Sequence, residues 1–212
     1  MYYNIKQKVL EPRSVWGLLE RRCISVKKSC WTVYRVVSVA VFAALVFVGS
    51  VIQVPVPAAF GMTRIHLGNI FCLLSGFILG PLGGGLAAGI GSGLYDIVIY
   101  GDILSAPFTL VFKGLMAVVC GMVAYIGQNQ GENHKLNIAA GISGSVTYII
   151  LYLAKSFAEG MLIGSAMGTV LTALATKLAT SSINAVIAVA VSVPLCAAVK
   201  AALKKSGLLE RL

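Results

Sequence analysis

Charge is scarce in this chain. Asp, Glu, Lys and Arg make up only 11% of its 212 residues, against about 25% in a soluble domain, which excludes the ordinary soluble class. Acids are scarcest: 7 stand against 17 Lys and Arg, for a formal net charge of +10. Histidine occurs twice, and the five cysteines (Cys23, Cys30, Cys72, Cys120, Cys196) share no metal-ligand spacing. No metal site is expected, and the thiols read as reduced apolar filler. The glycine-dense Gly89-Ile90-Gly91-Ser92-Gly93 is neither preceded by a strand nor followed by Gly-Lys-Ser/Thr, which excludes ATP binding. An intramembrane serine protease needs a base beside Ser92, and neither His66 nor His134 is well placed for that. No catalytic residue and no cofactor are expected. Both tryptophans, Trp16 and Trp31, precede the first apolar run, which excludes a tryptophan-stacking pocket within the bundle.

Apolar residues are abundant: they make up 58% of the chain, and mean hydropathy is +0.90. Low-charge runs at 36–63, 114–131, 136–154 and 178–199 are each near or above the roughly 20 residues a membrane span needs. The uncharged run 65–95 would be roughly 46 Å long as one helix, too long for a bilayer core of about 30 Å. Gly80-Pro81 lies near its middle, so two short helices joined by a tight turn are expected there.

Thirteen of the 17 Lys and Arg fall in three places: the segment 6–35, Lys135 in a polar loop, and Lys200, Lys204, Lys205 and Arg211 at the end. The positive-inside rule assigns all three to the cytoplasm. Both tails on one side demand an even number of spans, which supports the turn at Gly80-Pro81 independently. The expected fold is all-α: a bundle of six transmembrane helices with both termini cytoplasmic. The helices are expected at about 33–53, 66–79, 82–100, 107–127, 136–156 and 176–203. A basic cytoplasmic or interfacial tail over 1–32 precedes a membrane domain over 33–203, and a basic tail over 204–212 follows. Residues 9–31 suit an interfacial amphipathic helix or a disordered basic tail equally. A seventh span at 160–175 would break parity, so that apolar segment is expected as a lid helix over the outer face. Pro194 is an expected kink.

Four bases remain, Arg64, Lys113, Lys155 and Lys177, and all fall in the outer half with Asp96, Asp102 and Glu159. Ionisable groups in spans are costly and usually face a cavity or a partner. The plainer alternative has Lys155 and Lys177 snorkelling to headgroups and Asp96 pairing with Lys113. Asn69, Tyr95, Tyr100, Phe108, Thr109, Tyr148, Tyr152 and Asn184 share that level, which describes a pocket with apolar walls and a few polar anchors. Its candidate ligand-binding residues are Asn69, Asp96, Tyr100, Lys113, Tyr152, Lys155, Lys177 and Asn184. Four bases against three acids lean towards a neutral polar or anionic ligand. The spacing Ala40-x-x-x-Ala44 allows another helix to approach closely; ordinary internal packing explains it equally well.

These features resemble a substrate-binding S component of an energy-coupling factor (ECF) vitamin transporter, closest to the riboflavin-type branch. The resemblance rests on Ala40-x-x-x-Ala44, on LGNIFCLLSGFILGPLGGGLAAGIGSGLYD at 67–96 and on APFTLVFKG at 106–114. It implies a multi-pass protein of a prokaryotic cell membrane, binding a vitamin or precursor near the outer surface under the loop after the first helix. It also implies partners: a transmembrane coupling subunit docked on Ala40 and Ala44, and two cytoplasmic ATPases, with no nucleic acid. Asn69, Asp96 and Lys113 would line the ligand site. The alternative class is a self-sufficient secondary transporter or channel, which inverted repeats would favour; no internal symmetry is evident.

Overall fold

The structure, a computed structural model, describes residues 32–59, 62–128 and 131–207. The expected N-terminal tail with Trp16 and Trp31, the tip of the loop after the first helix, and the chain end beyond residue 207 lie outside the described residues.

Helix α1, Val33–Val51, forms where the chain is apolar and free of proline. It ends at Ile52, whose backbone is extended, and Pro55 and Pro57 favour extended conformations at Val54 and Val56 beyond it. An antiparallel ribbon follows, β1 (Gln53–Pro57) and β2 (Met62–His66), in the register Gln53↔His66 to Pro57↔Met62. An all-α chain with a plain loop was expected here. Val54 and Val56 opposite Ile65 and Thr63 are β-branched residues that suit a strand, and a two-stranded ribbon tolerates proline because it has open edges.

Helix α2, Gly68–Tyr100, is interrupted only at Gly80, with φ 73° and ψ −173°. Glycine adopts that backbone without the steric cost other residues meet, and Pro81 opens the second arm, where its missing N–H costs nothing. The arms fold back on each other. Ser75 Oγ donates to the Gly84 carbonyl at 3.1 Å, and a Cβ on Gly84 would lie 2.6 Å from Gly76 Cα. In a straight helix, residues eight apart would be separated by about 12 Å. The turn leaves carbonyls at the end of the first arm without helical partners. Tyr125 OH donates to the Ile78 oxygen at 3.0 Å, and Arg35 Nη2 reaches the Leu79 oxygen at 3.5 Å.

Helix α3 (Ala106–Ala124), a 3-10 turn (Ile126–Gln128), α4 (His134–Leu162) and α5 (Met167–Lys205) complete the order. The two arms of α2 form the centre, packed against α1, α3 and α5, with α4 bridging α3 and α5. Glycines 85, 89 and 93 of the second arm meet Val118 and Leu110 of α3, the close approach expected of small residues in a membrane. The core is built on Phe77, Leu73, Met116 and Val46, all fully enclosed. Outward-facing positions are large and apolar, among them Val36, Val41, Val48, Ile142, Val146, Ile150 and Val186. An apolar belt of that extent suits lipid, and all five helices are long and apolar enough to cross a bilayer. The chain is a multi-pass membrane bundle.

The count is five helices among the described residues, against an expectation of six. The difference lies at Gly80, where the two expected helices abut with a single non-helical residue between them. The lid helix expected over 160–175 is absent. The segment is shared by the last turn of α4, a short turn with Gly164 at φ 72°, and the first turns of α5. Pro194 sits within α5, whose backbone stays helical throughout. α5 starts nine residues before the expected 176 and buries Lys177 about three turns in, where Lys177 was expected at the helix's outer end.

Candidate functional site

The polar residues of the outer half come from all five helices, from β2 and from the turn at Asp102, and line one cavity of about 310 Å³. That is near the lower end of the range for small-molecule sites, roughly 300–1,000 Å³. All four expected bases and all three expected acids line it. Lys155 and Lys177 line the cavity, where the snorkelling alternative would have them reach headgroups.

Lys113, on α3, is 3% exposed. Its Nζ donates to Asn69 Oδ1 at 2.7 Å and meets His66 Nε2 at 3.2 Å, 5.4 Å from the Tyr148 ring centroid. Asn69 thus stands behind Lys113, itself buried, while the other seven candidates line the cavity. Asp96 closes the same wall without a salt bridge: among the described residues, the pair within 4.0 Å is Lys155–Glu159, at 3.0 Å. The expected alternative pairing of Asp96 with Lys113 is therefore not formed. Lys155 also donates to Ser105 Oγ at 3.3 Å and lies 5.2 Å from the centroid of Phe108. Lys177 donates to Ser156 Oγ at 3.0 Å and stands 5.6 Å from the Tyr152 ring. Tyr148 and Tyr152, one helical turn apart on α4, stack with planes 5° apart. Their paired rings form an apolar platform between two buried ammonium groups, an attractive arrangement for cations over aromatic faces.

The roof is the ribbon. Arg64 places its guanidinium 3.6 Å from the Tyr100 ring centroid, and Tyr100 OH is held by Tyr95 OH at 3.3 Å and by Gln53 Nε2. Asn184, expected as a ligand group, spends its amide on the chain itself. Its Oδ1 accepts the His66 N–H at 3.0 Å, and its Nδ2 donates to the Arg64 carbonyl at 2.7 Å. It pins β2 to α5. Sequence reasoning set His66 aside. Its ring is held neutral, well below its ordinary value, by burial first and then by Lys113 and Arg64. Nε2 can thus accept from Lys113, while Nδ1 is buried with no partner among the described residues. Thr63, Ser50 and Ser181 were also missed. The turn at Asp102 is set by its Oδ1, which accepts the Ser105 N–H at 2.9 Å; that bond, foremost, lowers the Asp102 carboxyl below its usual range.

Ala40 and Ala44 lie on the exposed side of α1, opposite Val39, Ala43 and Val46, which meet the core. Internal packing therefore does not account for their spacing. Among the described residues no cluster of His, Cys, Asp or Glu could hold a metal.

A stretch of 80 residues is 38% identical to a protein of Pyrococcus woesei described as an uncharacterized protein in gap 3' region, covering 38% of this chain and 51% of that protein. The chain spans about half the length of this curated relative. Residues 30–201 match the family model described as ECF-type riboflavin transporter, S component. With that match covering most of its length and a bundle that encloses one polar cavity, the chain belongs to the ECF-type riboflavin transporter S component family.

Proposed function

We propose that this protein is the membrane-embedded substrate-binding subunit of an ECF-type importer, capturing a vitamin or related micronutrient in the cavity beneath the ribbon. Riboflavin is the first ligand to try, from the family's description. The observation that carries the reading is the convergence of seven charged side chains on one cavity of about 310 Å³. Three of them, Asp96, Lys113 and Lys177, are buried, and burying ionisable groups in a bundle with an apolar exterior is costly unless they serve a solute. The proposed ligand contacts are Asp96, Tyr100, Lys113, Tyr152, Lys155 and Lys177. Asn69 orients Lys113, and Asn184 holds the roof.

In this reading α2 crosses the membrane twice, giving six crossings with both termini in the cytoplasm of a prokaryotic cell. Its support is the distribution of Arg35, Lys135, Lys200, Lys204 and Lys205 at the end remote from the cavity, as the positive-inside rule requires of a cytoplasmic face. The exposed Ala40 and Ala44 would meet a transmembrane coupling subunit, and two ATPases would supply the energy. Ribbon opening would admit the ligand from outside. Mass spectrometry of small molecules released from the purified chain tests the reading. A bound vitamin or precursor, and a thermal shift on adding it back, is the expected result. Uptake by the chain alone in liposomes under an ion gradient would overturn it.

A further inference from the structure

The charges of the cavity do not cancel. Four bases face three acids, and Lys155 is answered by Glu159 at 3.0 Å. Lys113 is different. It is 3% exposed, and its two hydrogen-bonding neighbours are an amide oxygen and an imidazole nitrogen. Neither carries a negative charge. No carboxylate lies within 4.0 Å of it among the described residues, although Asp96 lines the same cavity. An ammonium has three donors. Asn69 and His66 take two, and the third has no protein acceptor among the described residues. A buried cation with an unused donor strongly favours an anionic acceptor.

We infer that the ligand carries an oxyanion, a carboxylate or a phosphate ester, that accepts the third Lys113 N–H and cancels the cavity's excess positive charge. The inference rests on the substrate-binding reading above and narrows it: a neutral vitamin would leave the charge of the buried Lys113 unanswered. The stacked Tyr148 and Tyr152 beside Lys113 would carry the ligand's apolar or aromatic body.

Matched pairs that differ in the anionic group test this on the full-length wild-type chain in detergent or nanodiscs, by calorimetry or thermal shift. Riboflavin against its 5′-phosphate and pyridoxal against its 5′-phosphate form the phosphate arm. Lipoate against lipoamide and biotin against its amide form the carboxylate arm. In at least one pair the oxyanion should bind about 10- to 100-fold more tightly, the ratio a charge-assisted hydrogen bond supports. Lys113→Met should erase that ratio and Lys113→Arg retain part of it. The wild-type comparison stands even if a variant fails to fold. The neutral member binding as tightly as its anionic partner in every pair that binds would overturn the inference while leaving the substrate-binding reading intact. If no member of any pair binds, that reading fails as well.

Discussion

At the Gly80 turn, Arg35 and Tyr125 donate to the Leu79 and Ile78 carbonyls, main-chain oxygens that the end of a helix arm leaves orphaned. At the other end of the bundle, Lys113, Lys155 and Lys177 donate to the side chains of Asn69, Ser105, Glu159 and Ser156 around open space. The residue types are similar, but the acceptors differ. A buried donor satisfied by backbone holds a fold together. Buried donors satisfied by side chains around a cavity are placed for a solute. Asn184 crosses this division, since it sits in the cavity wall yet bonds only to the backbone of β2.

The largest expected effect lies at the turn. Gly84→Leu drives a side chain into the Gly76 backbone, so the α2 arms cannot close. Loss of monodisperse protein on size-exclusion chromatography is expected; a well-folded variant would deny the close packing of the arms. Next come substitutions that separate the two ends functionally. Asp96→Asn removes the proposed carboxylate acceptor for a ligand N–H or O–H and should weaken ligand binding about 10- to 100-fold while the ligand-free melting temperature stays near wild type, read by calorimetry and thermal melting. Asn184→Leu should do the reverse of a contact mutation: by unpinning β2 it should speed ligand release several-fold in stopped-flow dissociation, more than it slows association.

A pH effect is expected from His66. The folded ring is held below its ordinary value, about 6.5, so the unfolded state binds protons more readily in the window just beneath it. Stability is therefore full above about pH 6.5 and declines as the pH falls below it. Melting scans should show that decline in wild type and a weaker one in His66→Gln. The smallest effect belongs to Tyr125→Phe, which removes one hydrogen bond at the turn. It should cost about 1 kcal/mol of stability and leave binding unchanged.

Much of this arrangement was legible in the sequence, for reasons that differ by residue. The α2 hairpin could be read because an uncharged run longer than a bilayer is thick must fold back, and Gly-Pro marks where. The cavity charges could be read because ionisable residues are rare in spans. His66 and Ser181 gave no such signal: one is a lone polar residue just before a helix, the other a single hydroxyl within a span, and only the ribbon's path brings His66 to Lys113. The ribbon was hidden by its prolines, which resemble a helix stop followed by a loop. The lid reading of 160–175 failed because helix length was counted from charge, whereas α4 and α5 extend past Lys155, Glu159 and Lys177 by keeping them inside the bundle. Asn184 lines the cavity, but its bonds to the backbone of β2 depend on a strand that composition does not reveal.

The most direct measurement is a vitamin and precursor panel read by thermal shift on three proteins: wild type, Lys113→Met and Tyr125→Phe. A ligand at about 100 times its dissociation constant stabilises by about 2.7 kcal/mol, well above the loss expected at Tyr125. The result predicted is one ligand that stabilises wild type and Tyr125→Phe alike and stabilises Lys113→Met far less, by about 0.4 to 1.4 kcal/mol after a 10- to 100-fold loss of affinity. Equal stabilisation of all three, or of none, would contradict the assignment of the Lys113 cavity as the binding site.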